Sequence, residues 1–141
     1  MNWNELASTS PYRTAVEVNR ALDKGDVREA SAGIRELIEA LSRSDKRALK
    51  SYLVRLMTHI IKWQTQPERR SRGWRASIRN ARREIAEIQE ETPSLNRAVI
   101  EAMWAPALDA AMAEAEGEME QDPAVTDLSW ADVFEKEYEL E

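Results

Sequence analysis

The residues best suited to chemistry in this chain are the arginines of a basic segment that runs from residue 43 to residue 83. The segment contains 13 Lys or Arg and two acids, whereas residues 84–141 contain 17 acids and two basic residues. Guanidinium groups at successive helical turns can follow a row of phosphates, and neighbouring tryptophans can stack on bases. The candidate binding residues are Arg69, Arg70, Arg72, Arg75, Arg79 and Arg83.

The same arginines also have a structural interpretation, which we favour. Arg70 and Arg75 are placed to donate hydrogen bonds to helix ends and acids, and so to hold the turn before their helix. The net charge of −6 differs from the basic balance that is usual in nucleic-acid-binding domains. The acidic C-terminal third either covers the arginines as a strap that a partner displaces or forms a solvated face, and we favour the solvated face.

Metal binding and acid–base catalysis have little support in the sequence. His59 is the only histidine, the chain has no cysteine, and the helical neighbours of His59 are not metal ligands. The position of His59 at the rim of an apolar arc is typical of a structural histidine that makes one hydrogen bond. Neither a glycine-rich phosphate loop nor a serine nucleophile motif is present. We expect no metal and no cofactor, and the residues favour a non-enzymatic protein without deciding the point.

Proline, glycine and capping residues divide the chain into helices. Ser10 followed by Pro11 begins a first helix, and Gly25 ends it. Asp26 caps a second helix, in which apolar residues recur at spacings of three and four. The apolar sides of these two helices carry Tyr12, Ala15, Val16 and Leu22, and then Val27, Ala30, Ile34, Ile38 and Leu41.

A third helix, from a cap at Ser44 to about residue 64, is apolar over more than half of its circumference. That breadth is typical of the central helix of a bundle. Pro67 interrupts the chain before a fourth helix over about residues 73–91, whose apolar heptad begins at Trp74. A fifth helix, over about residues 95–116, should kink or break at Pro106 and end at Gly117.

The remainder of the chain is predicted to end in a short helix, because Ser129 and Asp132 resemble a capping box. Together these elements predict an all-α fold, a single compact bundle of about five helices with a central third helix and a short C-terminal helix. A chain of 141 residues has the length of one domain. We expect residues 1–141 to form that domain, with the acidic segment 117–141 partly extended.

The middle of the chain carries the motifs of a known family. They are His59, Lys62-Trp63-Gln64, Gln66-Pro67-Glu68-Arg69-Arg70-Ser71, Trp74-Arg75 and Ile78-Arg79. On these motifs the chain resembles an uncharacterised bacterial family, domain of unknown function number twenty-nine. The resemblance implies a compact all-helical fold and no established activity. The motif residues to which we assign a structural role are His59, Trp63, Gln66, Pro67 and Trp74.

The sequence favours a non-enzymatic cytoplasmic helical protein that acts through contacts with another protein or with itself. Among five tryptophans, Trp3, Trp104 and Trp130 lie outside the main apolar heptads and are candidate aromatic anchors for a partner. The alternative is a nucleic-acid-binding module that uses residues 43–83 and is masked by the acidic C-terminal third. Neither a secretory leader nor a run of about 18 apolar residues is present, so we expect no membrane partner.

Overall fold

The computed structural model describes residues 1–141, and all of its regular secondary structure is helical. The helices are α1 (Trp3–Thr9), α2 (Pro11–Asp23), α3 (Val27–Thr65), α4 (Arg72–Glu91), α5 (Arg97–Ala102) and α6 (Trp104–Met119). A 3₁₀ turn at Pro67–Arg69 precedes α4, and a single π-helical turn at Ala131–Glu135, which we name the C-terminal turn, follows α6. The prediction of an all-α fold with a short C-terminal helix is confirmed.

The backbone divides into two compact units, Met1–Arg47 and Ala48–Glu141. The first unit contains α1, α2 and the first part of α3. The second unit contains the remainder of α3, the helices α4 to α6 and the C-terminal turn. None of the helices has an apolar stretch that would be long enough to cross a membrane.

The helix α2 begins and ends where the sequence predicts. The Ser10 hydroxyl accepts a hydrogen bond from the backbone N–H of Arg13 at 3.1 Å, and Pro11 occupies the first helical position. Proline fits there because the missing N–H would have no intrahelical acceptor. Beyond the end of α2, Gly25 adopts a φ of 79°, a left-handed conformation that glycine enters without steric cost.

The helix α3 runs without interruption through Ser44, so the predicted cap at that residue was wrong. The helices predicted second and third are therefore one helix of 39 residues. Between Gly33 and Pro67 the sequence has neither glycine nor proline, so no residue forces the backbone out of the helical conformation. Inside a helix a serine costs only about 0.5 kcal/mol relative to alanine, which continued hydrogen bonding offsets.

The predicted fifth helix is divided, as expected, but the break lies at Met103 rather than at Pro106. Pro106 is the third residue of α6, where its missing N–H removes no intrahelical hydrogen bond. The helix also continues past Gly117 to Met119, and it ends where Glu120 adopts a left-handed φ of 55°. The predicted end at Gly117 was wrong, because a glycine marks a helix end only where the chain turns.

The first unit is built around Trp3, which the sequence did not place in a helix. Asn2 caps α1, and the Trp3 indole donates to the Glu29 carboxylate of α3 at 2.8 Å. Trp3, Val18 and Ala30 form a small buried cluster. At Gly33 the backbone of α3 meets this cluster so closely that an added Cβ would lie 2.6 Å from Val18 Cγ2 and 2.8 Å from Trp3 Cζ3.

The apolar sides predicted for α2 and for the first part of α3 remain largely exposed. Tyr12 is 77% exposed and Ile38 is 61% exposed. The other large apolar residues exposed in the first unit, apart from Met1, are Leu22, Val27, Ile34 and Leu41. The helices pack instead through Thr14, Val18 and Ala30, because shorter side chains allow the backbones to come closer together.

The second unit has the large core that the sequence predicts around the later part of α3. Trp63 is 3% exposed, and α4 adds three buried residues to this core at Ile78, Ala81 and Ile85. The buried residues that α3 contributes besides Trp63 are Leu49, Leu53, Leu56, Met57, Ile60 and Ile61. Alanines at every fourth position of α6 (Ala107, Ala111 and Ala115) are fully buried in the same core. The prediction that this part of α3 is the core element is confirmed.

The C-terminal turn forms the predicted capping box. The Ser129 backbone N–H donates to Asp132 Oδ2 at 2.9 Å, and the Asp132 backbone N–H donates to Ser129 Oγ at 3.1 Å. These reciprocal bonds satisfy two donors that a helix start leaves without partners. Val133, one residue further, is fully buried in the core of the second unit.

The close approach at Gly33 generates a prediction for stability. Gly33→Ala should destabilise the protein by about 1–3 kcal/mol, because the added methyl group overlaps Val18 and Trp3. Gly117→Ala is the matched control, since Gly117 is also helical and nothing lies within 4 Å of its added Cβ. The control should stabilise the protein by up to about 1 kcal/mol through helix propensity. Urea unfolding measures the free energy of unfolding of both variants. If Gly33→Ala stabilised the protein as much as Gly117→Ala does, the close packing at Gly33 would be contradicted.

Candidate functional site

The candidate site is the arginine face of α4 together with the turn before that helix. The Ser71 hydroxyl accepts from the Trp74 backbone N–H at 3.1 Å and so starts the helix. Because Ile78 and Ile85 are directed into the core, the arginines at intervening positions lie along the flank of the buried stripe. The arginine face is thus positioned by one cap and one apolar stripe.

Two candidate arginines share a carboxylate from the end of the chain. Arg75 Nη2 lies 2.6 Å from one oxygen of Glu139, and Arg79 Nη2 lies 3.2 Å from the other. All three side chains are partly exposed, so each pair contributes only about 0–1 kcal/mol. The arrangement nevertheless places a negative charge directly over this part of the arginine face.

Arg82 makes the most extensive contacts of the face, although it was not among the candidate binding residues. Its guanidinium donates to the carbonyls of Val133 at 2.8 Å, Lys136 at 2.9 Å and Asp132 at 3.3 Å. Burial lowers the pKa of Arg82, although the nearby Tyr138 and Glu137 act in the opposite direction. The sequence does indicate that Arg82 lies on the same flank as Arg75, because the two residues are seven positions, or about two helical turns, apart.

Tyr138 packs beside Arg82 and closes the core of the second unit. It is 5% exposed, and its ring meets the Trp63 ring edge-on at 5.9 Å between centroids. The hydroxyl donates to the Asp132 carbonyl at 2.7 Å. Burial raises the pKa of Tyr138 to about 12, with a further contribution from the charge of Asp132. The phenol therefore acts as a buried hydrogen-bond donor.

Residues at the end of α3, among them the motif residues Lys62 and Gln66, contact the end of α6 and the segment that follows it. Lys62 Nζ lies 2.8 Å from Glu118 Oε2, and Gln66 Nε2 donates to Gln121 Oε1 at 2.8 Å. The Thr65 hydroxyl accepts from the backbone N–H of Ala124 at 3.0 Å. These contacts are specific hydrogen bonds, so part of the acidic C-terminal third is bound to the fold and is not only a solvated face.

The remaining candidate arginines lie at the turn and on the outer side of α4. Arg70 donates through Nε to the Trp63 carbonyl at 2.8 Å, and its guanidinium lies 5.1 Å from the centre of the Trp63 ring. Arg69 and Arg72 are exposed, and Arg83 is exposed and donates to Asn80 Oδ1. Of the six candidates, only Arg75 is half-buried, and the other five are exposed.

The other motif residues lie in the core or close to it. Gln66 is buried, Pro67 begins the 3₁₀ turn, and Trp74 is half-buried with Lys62 Nζ 4.9 Å from its ring centre. His59 Nδ1 lies 2.9 Å from the Arg55 carbonyl oxygen one helical turn earlier. No group of three or more side chains is arranged to hold a metal ion.

The tryptophans proposed as anchors are engaged within the protein. Trp3 belongs to the small core of the first unit. Trp104 and Trp130 stack with their centroids 5.7 Å apart, and Phe134 lies 4.4 Å from Trp130. The guanidinium of Arg97 lies 4.1 Å from the centre of the Trp130 ring. Both of these tryptophans are half-buried, and with Phe134 they pack against the core of the second unit.

The motif residues Lys62 and Gln66 thus contact the C-terminal part of the same chain. Comparison with protein families agrees with the motifs, because the model of the family "Domain of unknown function DUF29" matches residues 17–139. The chain therefore belongs to this family of unknown function. No curated protein and no solved structure matches it.

The buried phenol predicts a change in stability at alkaline pH. The pKa of Tyr138 is about 12 in the folded protein and about 10 in the unfolded chain. The folded state thus binds the phenolic proton more tightly, so this contribution to stability is complete below pH 10 and is lost as pH rises towards 12. Tyr138→Phe should lower the free energy of unfolding by about 0.5–1.5 kcal/mol at neutral pH and flatten its decline above pH 10.

Tyr12→Phe is the control for this experiment, since Tyr12 is 77% exposed. It should keep the wild-type dependence of stability on pH. Urea unfolding at several pH values between about 8 and 11 measures both variants. An unchanged alkaline decline in Tyr138→Phe would contradict the role assigned to the phenol.

Proposed function

We propose that this protein is a non-enzymatic helical protein of the cytoplasm that acts by binding another protein chain through its first unit. The observation that carries the proposal is the set of large apolar side chains left exposed on α2 and the first part of α3, with Ile38 at 61%. Contiguous exposed apolar surface on a highly charged protein usually marks a contact site. The absence of cysteine fits the reducing environment of the cytoplasm.

The second unit gives less support to a binding role, because many of its charged groups are engaged within the unit. Arg75 and Arg79 pair with Glu139, and Arg82 binds the carbonyls of the C-terminal turn. A ligand that competed for these groups would have to displace contacts that already satisfy them. The first unit is the surface where binding replaces exposed apolar area rather than existing hydrogen bonds.

Site-specific photo-crosslinking in the cells that make the protein tests the proposal. A photo-reactive amino acid in place of Ile38 should give a covalent adduct with a protein chain on irradiation, because the partner covers this side chain. The matched control carries the same group in place of Glu116, an exposed residue of α6. The absence of an adduct at position 38 would contradict the proposal, and the mass of an adduct identifies the partner.

Nucleic-acid binding remains the second candidate, because Arg69 and Arg72 are exposed at the turn before α4. We expect no binding of short DNA or RNA in fluorescence anisotropy at about 50 mM salt. Micromolar binding that falls steeply at about 200 mM salt would reverse this ranking. In that event the double change Arg69→Glu and Arg72→Glu should weaken binding to every sequence alike, since phosphate contacts carry no sequence information.

A further inference from the structure

The first unit contains a helical hairpin, formed by α2 and the first part of α3, and no other helix covers one of its sides. α2 and α3 are joined by the short turn at residues 24–26, where the Asp26 backbone N–H bonds to the Ala21 carbonyl at 2.9 Å. Val18 lies against Gly33, at nearly equal distances along the chain from this turn, so the two helices run antiparallel. Two antiparallel helices alone leave part of each apolar side uncovered.

The helix α1 covers one side of this hairpin. It reaches α3 through Trp3 Nε1 to Glu29 at 2.8 Å and through Asn4 Nδ2 to Glu36 at 3.2 Å. At about 100° per residue, Glu29 and Glu36 lie about 140–160° around α3 from Ile34. Gly33, which meets α2, lies between them and Ile34. Ile34 therefore lies on the side of the hairpin that is opposite to α1.

The side of the hairpin away from α1 carries a row of exposed apolar residues. Within α3 this row, or stripe, consists of four residues that lie within about 60° of one another around the helix axis. They are Val27, Ile34, Ile38 and Leu41, exposed at 64%, 43%, 61% and 46%. On α2, Glu17 and Arg20 lie near Trp3, on the side that α1 covers. Leu22 lies on the opposite flank of α2, and so on the same side of the hairpin as Ile34. We name the surface formed by these four residues and Leu22 the hairpin face.

We propose that the hairpin face binds the same face of a second copy of this chain, so that two hairpins form a four-helix arrangement about a two-fold axis. This inference rests on the proposed function and names its partner. A two-fold pair buries the same patch on both copies, which requires a patch that is complementary to itself. The charges of the first unit meet this requirement.

Residues 1–47 contain eight basic and eight acidic residues, so two first units do not repel one another through net charge. Arg35 and Glu39 lie four residues apart on the same border of the stripe. In an antiparallel pair with its axis near Leu37, Arg35 of each copy faces Glu39 of the other. The hairpin face therefore has an apolar centre and a border whose charges are complementary to those of a second copy.

The size of the hairpin face predicts the strength of the dimer. The stripe from Val27 to Leu41 is about 21 Å long at 1.5 Å per residue, and two packed helices are about 20 Å wide. A footprint of about 420 Å² is smaller than the area of about 600 Å² or more that each partner of a stable dimer buries. We therefore expect a reversible dimer with a dissociation constant in the micromolar range.

Sedimentation of the full chain at increasing concentration tests the proposal. The wild type should change from monomer to dimer across the micromolar range, and Ile38→Asp should raise the dissociation constant by about tenfold or more. Leu140→Asp is the matched control, since Leu140 is an apolar residue that is 38% exposed in the second unit. It should dimerise like the wild type.

The absence of cysteine allows a second measurement that does not disturb the face. The single change Ile38→Cys should give a disulfide-linked dimer on mild oxidation, because a residue near the two-fold axis meets its own copy within disulfide reach. Leu140→Cys should not. Circular dichroism confirms that each variant keeps its helices.

A wild type that stays monomeric at several hundred micromolar, with no crosslink through Ile38→Cys, overturns the dimer. A dimer that Ile38→Asp leaves unchanged overturns the assignment to this face. The photo-crosslinking experiment separates these failures from that of the proposed function. An adduct with a different protein at Ile38 refutes self-association and retains a protein-binding role, whereas no adduct refutes both.

Discussion

The guanidinium of Arg82 lies at the carbonyl end of the C-terminal turn, and the second unit depends on this contact. A single helical turn leaves its last carbonyls without intrahelical donors, and burying them unpaired costs about 1–3 kcal/mol each. Arg82 donates to two carbonyls of the turn, those of Asp132 and Val133, and to the carbonyl of Lys136 directly after it. A charged donor complements the negative end of a helix. Because the turn is satisfied in this way, Val133 and Tyr138 can be buried against the core and Glu139 can reach Arg75 and Arg79.

The two units use their polar and apolar residues in opposite ways. In the second unit, basic residues from the middle of the chain pair with acidic residues near its end, as Lys62 does with Glu118 and Arg75 with Glu139. Charges of opposite sign that are far apart in the sequence therefore lie close together in the fold. The first unit has balanced charge and a small core around Trp3, and it leaves large apolar residues such as Ile38 in solvent. The contacts of the second unit are thus largely polar at its surface, whereas the exposed surface of the first unit is unusually apolar.

Local chemistry was the part of this fold that the sequence could predict. The caps at Ser10 and at Ser129 involve residues three positions apart, so their formation does not depend on the remainder of the chain. Ser44 has the same type of side chain but lies where the helix continues, because the packing of distant residues decides whether a cap is used. Apolar periodicity identified the core face around Trp63 but not the exposed state of Ile38, since a period shows which residues share a side and not what covers that side. Arg82 was missed as a site residue because its partners are backbone carbonyls, which have no signature in the sequence.

The contacts of Arg82 also affect the order in which the two units can fold during synthesis of the chain. Its carbonyl partners lie 50 to 54 residues later in the sequence, whereas Trp3 finds Glu29 after only 26 residues. At a synthesis rate of about 5–20 residues per second, Arg82 has no partner for roughly 3–10 s after it is made. The first unit can close during that interval, whereas the core around Trp63 is complete only after Tyr138 has been added. The chain therefore acquires its structure from the N-terminus onward, and the second core is most accessible to chaperones and proteases while synthesis is still under way.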